Sequence, residues 1–172
     1  MLAGQSREPG TPADFRVGIE GSSSTVDRAQ ELFEAALAKG LKAVLARPAG
    51  YPEGHAVERV TYGARAQTTA AVVEQAGEGA EQHVALAAAG AQVIVSMRAR
   101  RQAPIGCAIV PVVAVAADDE MFGALRDDFD LGPRASVEEI LKTAVTVFSG
   151  AETAAERRGA RDFVLRRMAR TM

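Results

Sequence analysis

The order of apolar patterns along the chain constrains its fold most strongly, because short strand-like runs alternate with helical ones. In the helical patterns apolar residues stand three and four positions apart, whereas the strand-like runs are short and largely apolar. The strand predictions are residues 15–19, 41–46, 68–73, 92–97 and 108–116, with a possible strand at 56–61, and the helix predictions are 26–37, 81–89, 118–125, 137–148 and 153–168. This alternation predicts an α/β fold, a single domain that is a Rossmann-like variant with a largely parallel sheet flanked by helices.

Local signals refine two of these elements. Ser24 or Ser23 is a good N-cap for the first helix, and Asp27 stands where a capping box has its acidic residue. Pro111 lies inside the apolar run 108–116. Since proline has no N–H for the strand ladder, it predicts an edge strand or a bulge there.

Composition sets the class of protein. The 172 residues, 48% of them apolar, suffice for one ordinary domain with a full core. We expect a flexible N-terminal arm over residues 1–14, without the apolar segment of a signal peptide, and a single domain over 15–172. The longest apolar stretch, 107–117, is far shorter than the roughly 20 residues that cross a bilayer. These features predict a cytoplasmic protein with no membrane partner.

Charge gives no indication of a nucleic-acid partner. The formal net charge is -2, so no overall field attracts a polyanion. The arginines of the helix predicted over 153–168 are interleaved with acidic residues and have no aromatic platform beside them. We interpret that helix as a solvated or subunit-facing surface and predict no nucleic-acid binding.

Few residues of the chain could ligate a metal. Cys107 is the one cysteine, and His55 and His83 are the two histidines, which excludes a disulfide within the chain, a cysteine-based zinc site and a His-rich centre. Cys107 opens an apolar run, which indicates a buried, inert thiol. Two acidic groups could bind a divalent cation, but helix caps and solvated faces explain them more simply, and no metal site is predicted. They are Asp118, Asp119 and Glu120, and Asp127, Asp128 and Asp130.

The turn at residues 22–25 joins the first predicted strand to the first helix. Free backbone N–H groups at a helix start, together with the hydroxyls of Ser24 and Thr25, suit a carboxylate or a phosphate. The same residues could merely cap the helix, since Gly18 and Gly21 alone do not make a glycine-rich phosphate loop. Both interpretations remain open.

A basic cluster, Arg98, Arg100 and Arg101, directly follows the strand predicted at 92–97 and leads to a turn that ends at Gly106. Open α/β sheets bind ligands at the carboxyl ends of their strands. Guanidinium groups hold carboxylates through paired hydrogen bonds. The cluster therefore predicts a carboxylate site, although a solvated loop or a subunit contact would explain the same charges.

Several short motifs follow one another from residue 24 onward. They read STVD at 24–27, LAAAGAQVIV at 86–95, RRQAPIG at 100–106, DDFD at 127–130 and SGAETAAE at 149–156, with Pro111 in an apolar strand between the third and fourth. In this order they resemble the C-terminal domain of the altronate/galactarate (sugar-acid) dehydratase family, whose members are hydro-lyases. The resemblance implies a sugar acid or another small carboxylate as ligand. In the site that it implies, Arg101 with Arg98 or Arg100 holds the carboxylate in the loop that ends at Gly106, and Ser24 and Thr25 add hydrogen bonds. This site requires the two segments to converge in space, which the sequence leaves open.

The resemblance is incomplete in that loop. The family reads Gly-Arg-Gly-Thr-Pro-x-Gly, of which Arg101, Pro104 and Gly106 remain here. Glycine permits close backbone approach and positive φ, so Arg100 and Gln102 in place of the first two glycines change what the loop can bind.

Other family features are missing as well. A family lysine corresponds to Ala29, and family members carry additional N-terminal regions that residues 1–22 are too short to supply. The resemblance thus implies a stand-alone relative of the dehydratase C-terminal domain that needs a separate dehydratase subunit for catalysis. Whether the chain alone is an enzyme stays open at this point.

Sugar-acid dehydration requires a base that takes the proton α to the carboxylate, and an acid or a metal that assists the departure of hydroxide. No convincing base is evident, since Glu74 and His83 are only candidates, and no cofactor can be named. The alternative is a non-catalytic module that binds small carboxylates or assembles as a homo-oligomer. Small domains with apolar helices often pair symmetrically, so a homo-oligomer is expected in either case.

Overall fold

The computed structural model describes residues 14–22, 24–46, 57–74, 76–97 and 102–164. The strands are β1 (Arg16–Gly21), β2 (Lys42–Ala46), β3 (Glu58–Val60), β4 (Ala70–Val73), β5 (Val93–Met97) and β6 (Val112–Val115). The helices are α1 (Val26–Ala38), α2 (Ala80–Ala88), α3 (Asp119–Ala124), α4 (Val137–Phe148) and α5 (Ala154–Arg157). The six strands form one sheet in the order β3-β4-β2-β1-β5-β6, and every strand pair is parallel. The predicted α/β fold with a parallel sheet flanked by helices is confirmed.

Helices cover both faces of this sheet. On one face α1 and α4 bury Leu32, Phe33 and Ile140 against the strands. On the other face α2 buries Leu86 against strand residues such as Ile94. Strands that are buried on both faces need apolar residues at successive positions, which explains the nearly continuous apolar runs of the sequence.

The parallel neighbours β3 and β4 are joined by residues 61–69 alone, a shorter connection than the dozen or more residues usual between parallel strands. Two charged side chains hold this connection. The buried Arg16 guanidinium donates to three carbonyls within 3.0 Å, those of Ala66, Thr68 and Ala89. The Glu58 carboxylate accepts the N–H groups of Thr68 and Gln67 at 2.7 and 2.8 Å, and these bonds hold the pKa of Glu58 below its ordinary value.

The helix predicted over 153–168 is wrong between Arg157 and residue 164, and its last four residues, 165–168, lie outside the described ranges. Gly159 takes a φ of +69°, a conformation that ends helices, and the N–H of Ala160 donates back to the carbonyl of Ala155. From Gly159 the chain runs without regular structure to residue 164, the last one described here. Along this course the Asp162 carbonyl accepts the N–H of Ala108, so the segment lies against the loop that precedes β6.

Three local predictions also differ from the structure. The N-cap of α1 is Thr25 rather than Ser24 or Ser23, and it makes no side-chain capping bond. The strand predicted from residue 108 starts only at Val112, after Pro111, although β6 is the edge strand that the proline predicted. Cys107 is consequently half-buried in a loop instead of buried at the start of a strand.

The acidic groups have structural partners. Asp118 caps α3 by accepting the N–H of Met121 at 2.8 Å. Asp130 accepts the N–H groups of Ala114 and Ala154 at 2.8 and 2.7 Å, which joins β6 to the start of α5, and burial raises the pKa of its carboxyl. Among the residues that the structure describes, no three His, Cys, Asp or Glu side chains group closely enough to hold a metal ion. No helix in the same ranges has the length and apolar character to cross a membrane.

Candidate functional site

The strand order creates a switch point in the middle of the sheet. From β1 the sheet extends through β2 on one side and through β5 on the other. In open parallel sheets a crevice forms at the carboxyl ends of two such strands, and ligands bind there. The two strand ends are Gly21 and Met97, which are paired in register. Both predicted binding segments, 22–25 and 98–101, begin directly after these two residues.

Thr25 ties the turn after β1 to the end of β5. Its hydroxyl donates to the Met97 carbonyl at 2.9 Å and accepts the N–H of Ser22 at 2.9 Å. Because this hydroxyl is bonded outside the helix, the first turn of α1 lacks a side-chain cap. Uncapped N–H groups at a helix start favour an anion. Ser24 adds an exposed hydroxyl, 3.0 Å from the hydroxyl of Ser22.

Gly21 and Ala29 bring the start of α1 close to the sheet. A Cβ at Gly21 would lie 2.8 Å from the Cβ of Ala29, which is buried. Ala29 stands where the family resemblance expects a lysine. The buried methyl group allows close packing there and leaves no amine at this position.

Three buried polar side chains lie beneath the strand ends, and the sequence analysis did not connect them. Glu20 on β1 and Ser96 on β5 are paired in register, and His83 on α2 faces them. The exposed fraction is 4% for Glu20, 2% for Ser96 and 0% for His83. His83 Nε2 lies 2.7 Å from Glu20 Oε2, and the hydroxyl of Ser96 donates to the same oxygen. His83, a candidate base from the sequence, is therefore packed inside the protein.

Gly106 is attached to this buried cluster. Its carbonyl oxygen lies 3.3 Å from His83 Nδ1, and its N–H donates to Asp162 Oδ2 at 3.1 Å. A Cβ on Gly106 would overlap the carbonyl oxygen of Ala160, and the φ angle of Gly106 is not positive. Close backbone approach, and not a left-handed conformation, therefore requires glycine here.

The predicted site residues fall into two groups. Thr25 bonds directly to the end of β5, and Gly106 is linked to the end of β1 through His83 and Glu20. Ser24 lies beside Thr25 in the same turn. Arg98, Arg100 and Arg101 lie outside the described residues, and so does His55. Glu74, the other candidate base, forms an ion pair with Arg59 at 3.6 Å, away from the buried cluster.

These features define a class of protein, an α/β domain with a ligand crevice at the carboxyl edge of a parallel sheet. Residues 53–171 match the family described as D-galactarate/Altronate dehydratase, C-terminal, and the chain belongs to this family. The matched residues include His83 and Gly106, whereas Glu20 and Thr25 lie before them. A search of curated proteins found no match.

Proposed function

We propose that the crevice between the ends of β1 and β5 binds the carboxylate of a sugar or hydroxy acid. In this proposal the chain acts as a dehydratase C-terminal domain, which completes a hydro-lyase together with a dehydratase subunit. The observation that carries the proposal is the hydrogen bond from Thr25 to Met97. It brings the start of α1 against the residue that immediately precedes the arginine cluster.

The parts of the proposed site have distinct roles. The first-turn N–H groups of α1 and the positive end of its dipole attract the anion. Arg101, which matches the arginine of the family loop, holds the carboxylate through paired hydrogen bonds, and Arg98 and Arg100 add positive charge. Ser24 offers a hydroxyl to the hydroxyl groups of the acid.

We assign the removal of the proton next to the carboxylate to the partner subunit. Dehydration needs a base at the carbon next to the carboxylate. Glu20 and His83 lie buried beneath the strand ends, and they are bonded to each other below the surface. The family description, which names a C-terminal part of a dehydratase, supports a catalytic partner. We expect the purified chain to bind galactarate without dehydrating it, and turnover by the chain alone would refute the need for a partner.

Calorimetric titration with galactarate tests the carboxylate site. Arg101→Ala should weaken binding at least about tenfold, since a charged hydrogen bond contributes about 1.5–3 kcal/mol. Lys39→Ala is the matched control, because it also removes one positive charge but lies after the C-terminal end of α1, at the opposite edge of the sheet. Equal affinities of the wild type and Arg101→Ala would contradict the proposal.

A second candidate, a module for self-assembly, is favoured by one observation. Ile109 and Phe163 are 53% and 50% exposed, and the bond from the Ala108 N–H to Asp162 places them on neighbouring segments. Exposed apolar residues that lie together often mark an interface. Sedimentation velocity should show a dimer or larger species that dissociates in Ile109→Ser or Phe163→Ser. A monomeric wild type at high concentration would exclude this candidate.

A further inference from the structure

The buried side chains of Glu20, His83 and Ser96 lie beneath a loop without helix or strand, residues 102–111, which we name the cover loop. The carbonyl oxygen of Gly106, in the middle of this loop, is 3.3 Å from Nδ1 of the imidazole. The imidazole is fully buried, although imidazole, hydroxyl and carboxyl groups are those that enzymes use for proton transfer and nucleophilic attack. Access to it through Nδ1 therefore requires the cover loop to move.

A C-terminal segment, residues 159–164, lies against the cover loop, and we name it the strap. Its Asp162 accepts the Gly106 N–H through the carboxylate, at 3.1 Å, and the Ala108 N–H through the backbone carbonyl, at 3.2 Å. The strap also packs so closely that a Cβ on Gly106 would overlap the carbonyl oxygen of Ala160. Gly106 thus contacts the imidazole through its carbonyl, and it contacts the strap through its N–H and its α-carbon.

The strap is weakly attached to the rest of the protein. Each of its residues is exposed or half-buried, whereas Ala154 and Ala155, in the helix before it, are buried. An ion pair between Arg158 and Asp128 fixes the chain just before the strap begins. A segment that buries no apolar side chain and whose hydrogen bonds lie near solvent opens at a smaller free-energy cost than the core. The strap can therefore open about its first residue while the sheet and the helices stay folded.

The middle of the cover loop depends on the strap. At the end of the loop the Pro111 carbonyl accepts an N–H from β5, and Cys107 and Val110 are half-buried against the core beneath α2. Within the part of the chain that the structure describes, the loop's remaining hydrogen bonds are the two to Asp162 and the contact with His83. When the Asp162 bonds break, the middle of the loop keeps only its contact with the imidazole and this partial packing.

We infer that residues 159–164 are a strap that turns about Gly159 and controls access to the buried His83. Gly159 has a φ of +69°, which glycine adopts readily, and it lies where the last helix gives way to the strap. The strap is closed while Asp162 holds the cover loop, and its release lets the loop leave the imidazole. A reactant reaches the side chains beneath only in the open state. This device goes beyond the proposed function, because it requires neither a bound carboxylate nor a partner subunit.

Chemical modification of His83 at one fixed pH tests the strap. Diethylpyrocarbonate acylates the lone-pair nitrogen of a neutral imidazole that solvent reaches, and peptide mass spectrometry separates His83 from His55, the other histidine. Asp162→Ala should speed the modification of His83 by about tenfold, since the strap loses a hydrogen bond to a charged group. Asp127→Ala is the matched control, because it removes the same carboxylate from an exposed position outside the strap. An unchanged rate in Asp162→Ala, or an equal gain in both variants, would overturn the inference.

A second variant displaces the strap without changing Asp162. In Gly106→Ala the added methyl group overlaps the carbonyl oxygen of Ala160, so the strap must move away from the cover loop. The modification of His83 should again be faster than in the wild type, while the far-UV circular dichroism stays the same. A folded Gly106→Ala in which His83 reacts no faster would contradict control by the strap.

The wild type alone tests the inference if the variants do not fold. Local opening exposes little surface, so the rate of His83 modification should change little with urea below the unfolding transition. A route through global unfolding exposes the whole core, so its rate would rise steeply with urea. A rate that follows global unfolding, or one as fast as that of free histidine, would overturn the inference.

Discussion

One buried carboxylate oxygen of Glu20 has two hydrogen-bond partners, His83 Nε2 at 2.7 Å and the hydroxyl of Ser96. Glu20→Ala leaves both of these buried groups without this partner, and a buried polar group left unsatisfied typically costs about 1–3 kcal/mol. We expect Glu20→Ala to lower the free energy of unfolding by about 2–6 kcal/mol. Ser96→Ala removes one hydrogen bond, leaves the pair intact and should cost about 1 kcal/mol. Urea unfolding of both variants checks the difference, and equal losses would contradict it.

At the residue scale, the candidate site was predictable only where a local signature exists. Thr25 stands at a helix start and Gly106 in a loop that resembles a family motif, so both could be named from sequence. Glu20 and Ser96 each look like one polar residue at the end of an apolar strand. Their meaning comes from the register that pairs them across β1 and β5, and local patterns contain no information on register between distant strands.

At the scale of elements, Arg16 connects β1 to two other segments, because its guanidinium donates to the carbonyls of Ala66 and Thr68 within the β3–β4 connection and to that of Ala89 after α2. We expect Arg16→Met, which keeps much of the apolar stem, to destabilise the protein by about 2–4 kcal/mol, since three carbonyls, two of them buried, lose a charged donor. Hydrogen exchange of residues 61–69 should rise more than that of α4. Uniformly raised exchange in both elements would show that Arg16 holds the whole fold and not this connection.

Asp130 joins β6 to α5 and gives stability a pH dependence of known sign. Burial raises the pKa of its carboxyl, so between the unfolded and the folded pKa the native state binds more protons than the unfolded chain. Stability from this group therefore falls as pH rises through that interval and is constant above it. Asp130→Asn lacks this titration. The unfolding free energy of the wild type minus that of Asp130→Asn should decrease from acidic toward neutral pH, and an increase measured by urea unfolding would contradict the sign.

Most elements were predictable from periodicity, and the errors have local causes. The strands from β1 to β5 and the helices α1 and α4 follow apolar spacing that the sheet and its layers require. The last predicted helix continued through Gly159, where a positive φ and a backbone bond from Ala160 end it. Because glycine at position 159 is compatible with the interior of a helix at a modest cost as well as with its end, tertiary contacts decide where this helix stops.

At the scale of the whole molecule, the sheet unites two parts of the chain that sequence comparison separates. The family match begins at residue 53, after β1, α1 and β2. In the structure β1 nevertheless lies at the centre of the sheet, and the turn after it bonds to the end of β5. The crevice thus needs both parts, so a fragment restricted to the matched residues would lack one wall of it.

A thermal-shift measurement on the intact chain tests this crevice as a unit. A ligand at about 100 times its dissociation constant adds about 2.7 kcal/mol of stability. For a domain of this size each kcal/mol raises Tm by about 2–4 °C, so saturating galactarate should raise it by about 5 °C or more. Galactitol has the same carbon skeleton without carboxylates and serves as the control, with no shift expected. Equal Tm shifts with both compounds would show that the carboxylates are not recognised. A galactarate shift that disappears in Arg101→Ala but persists in Lys39→Ala would assign carboxylate binding to the arginine loop.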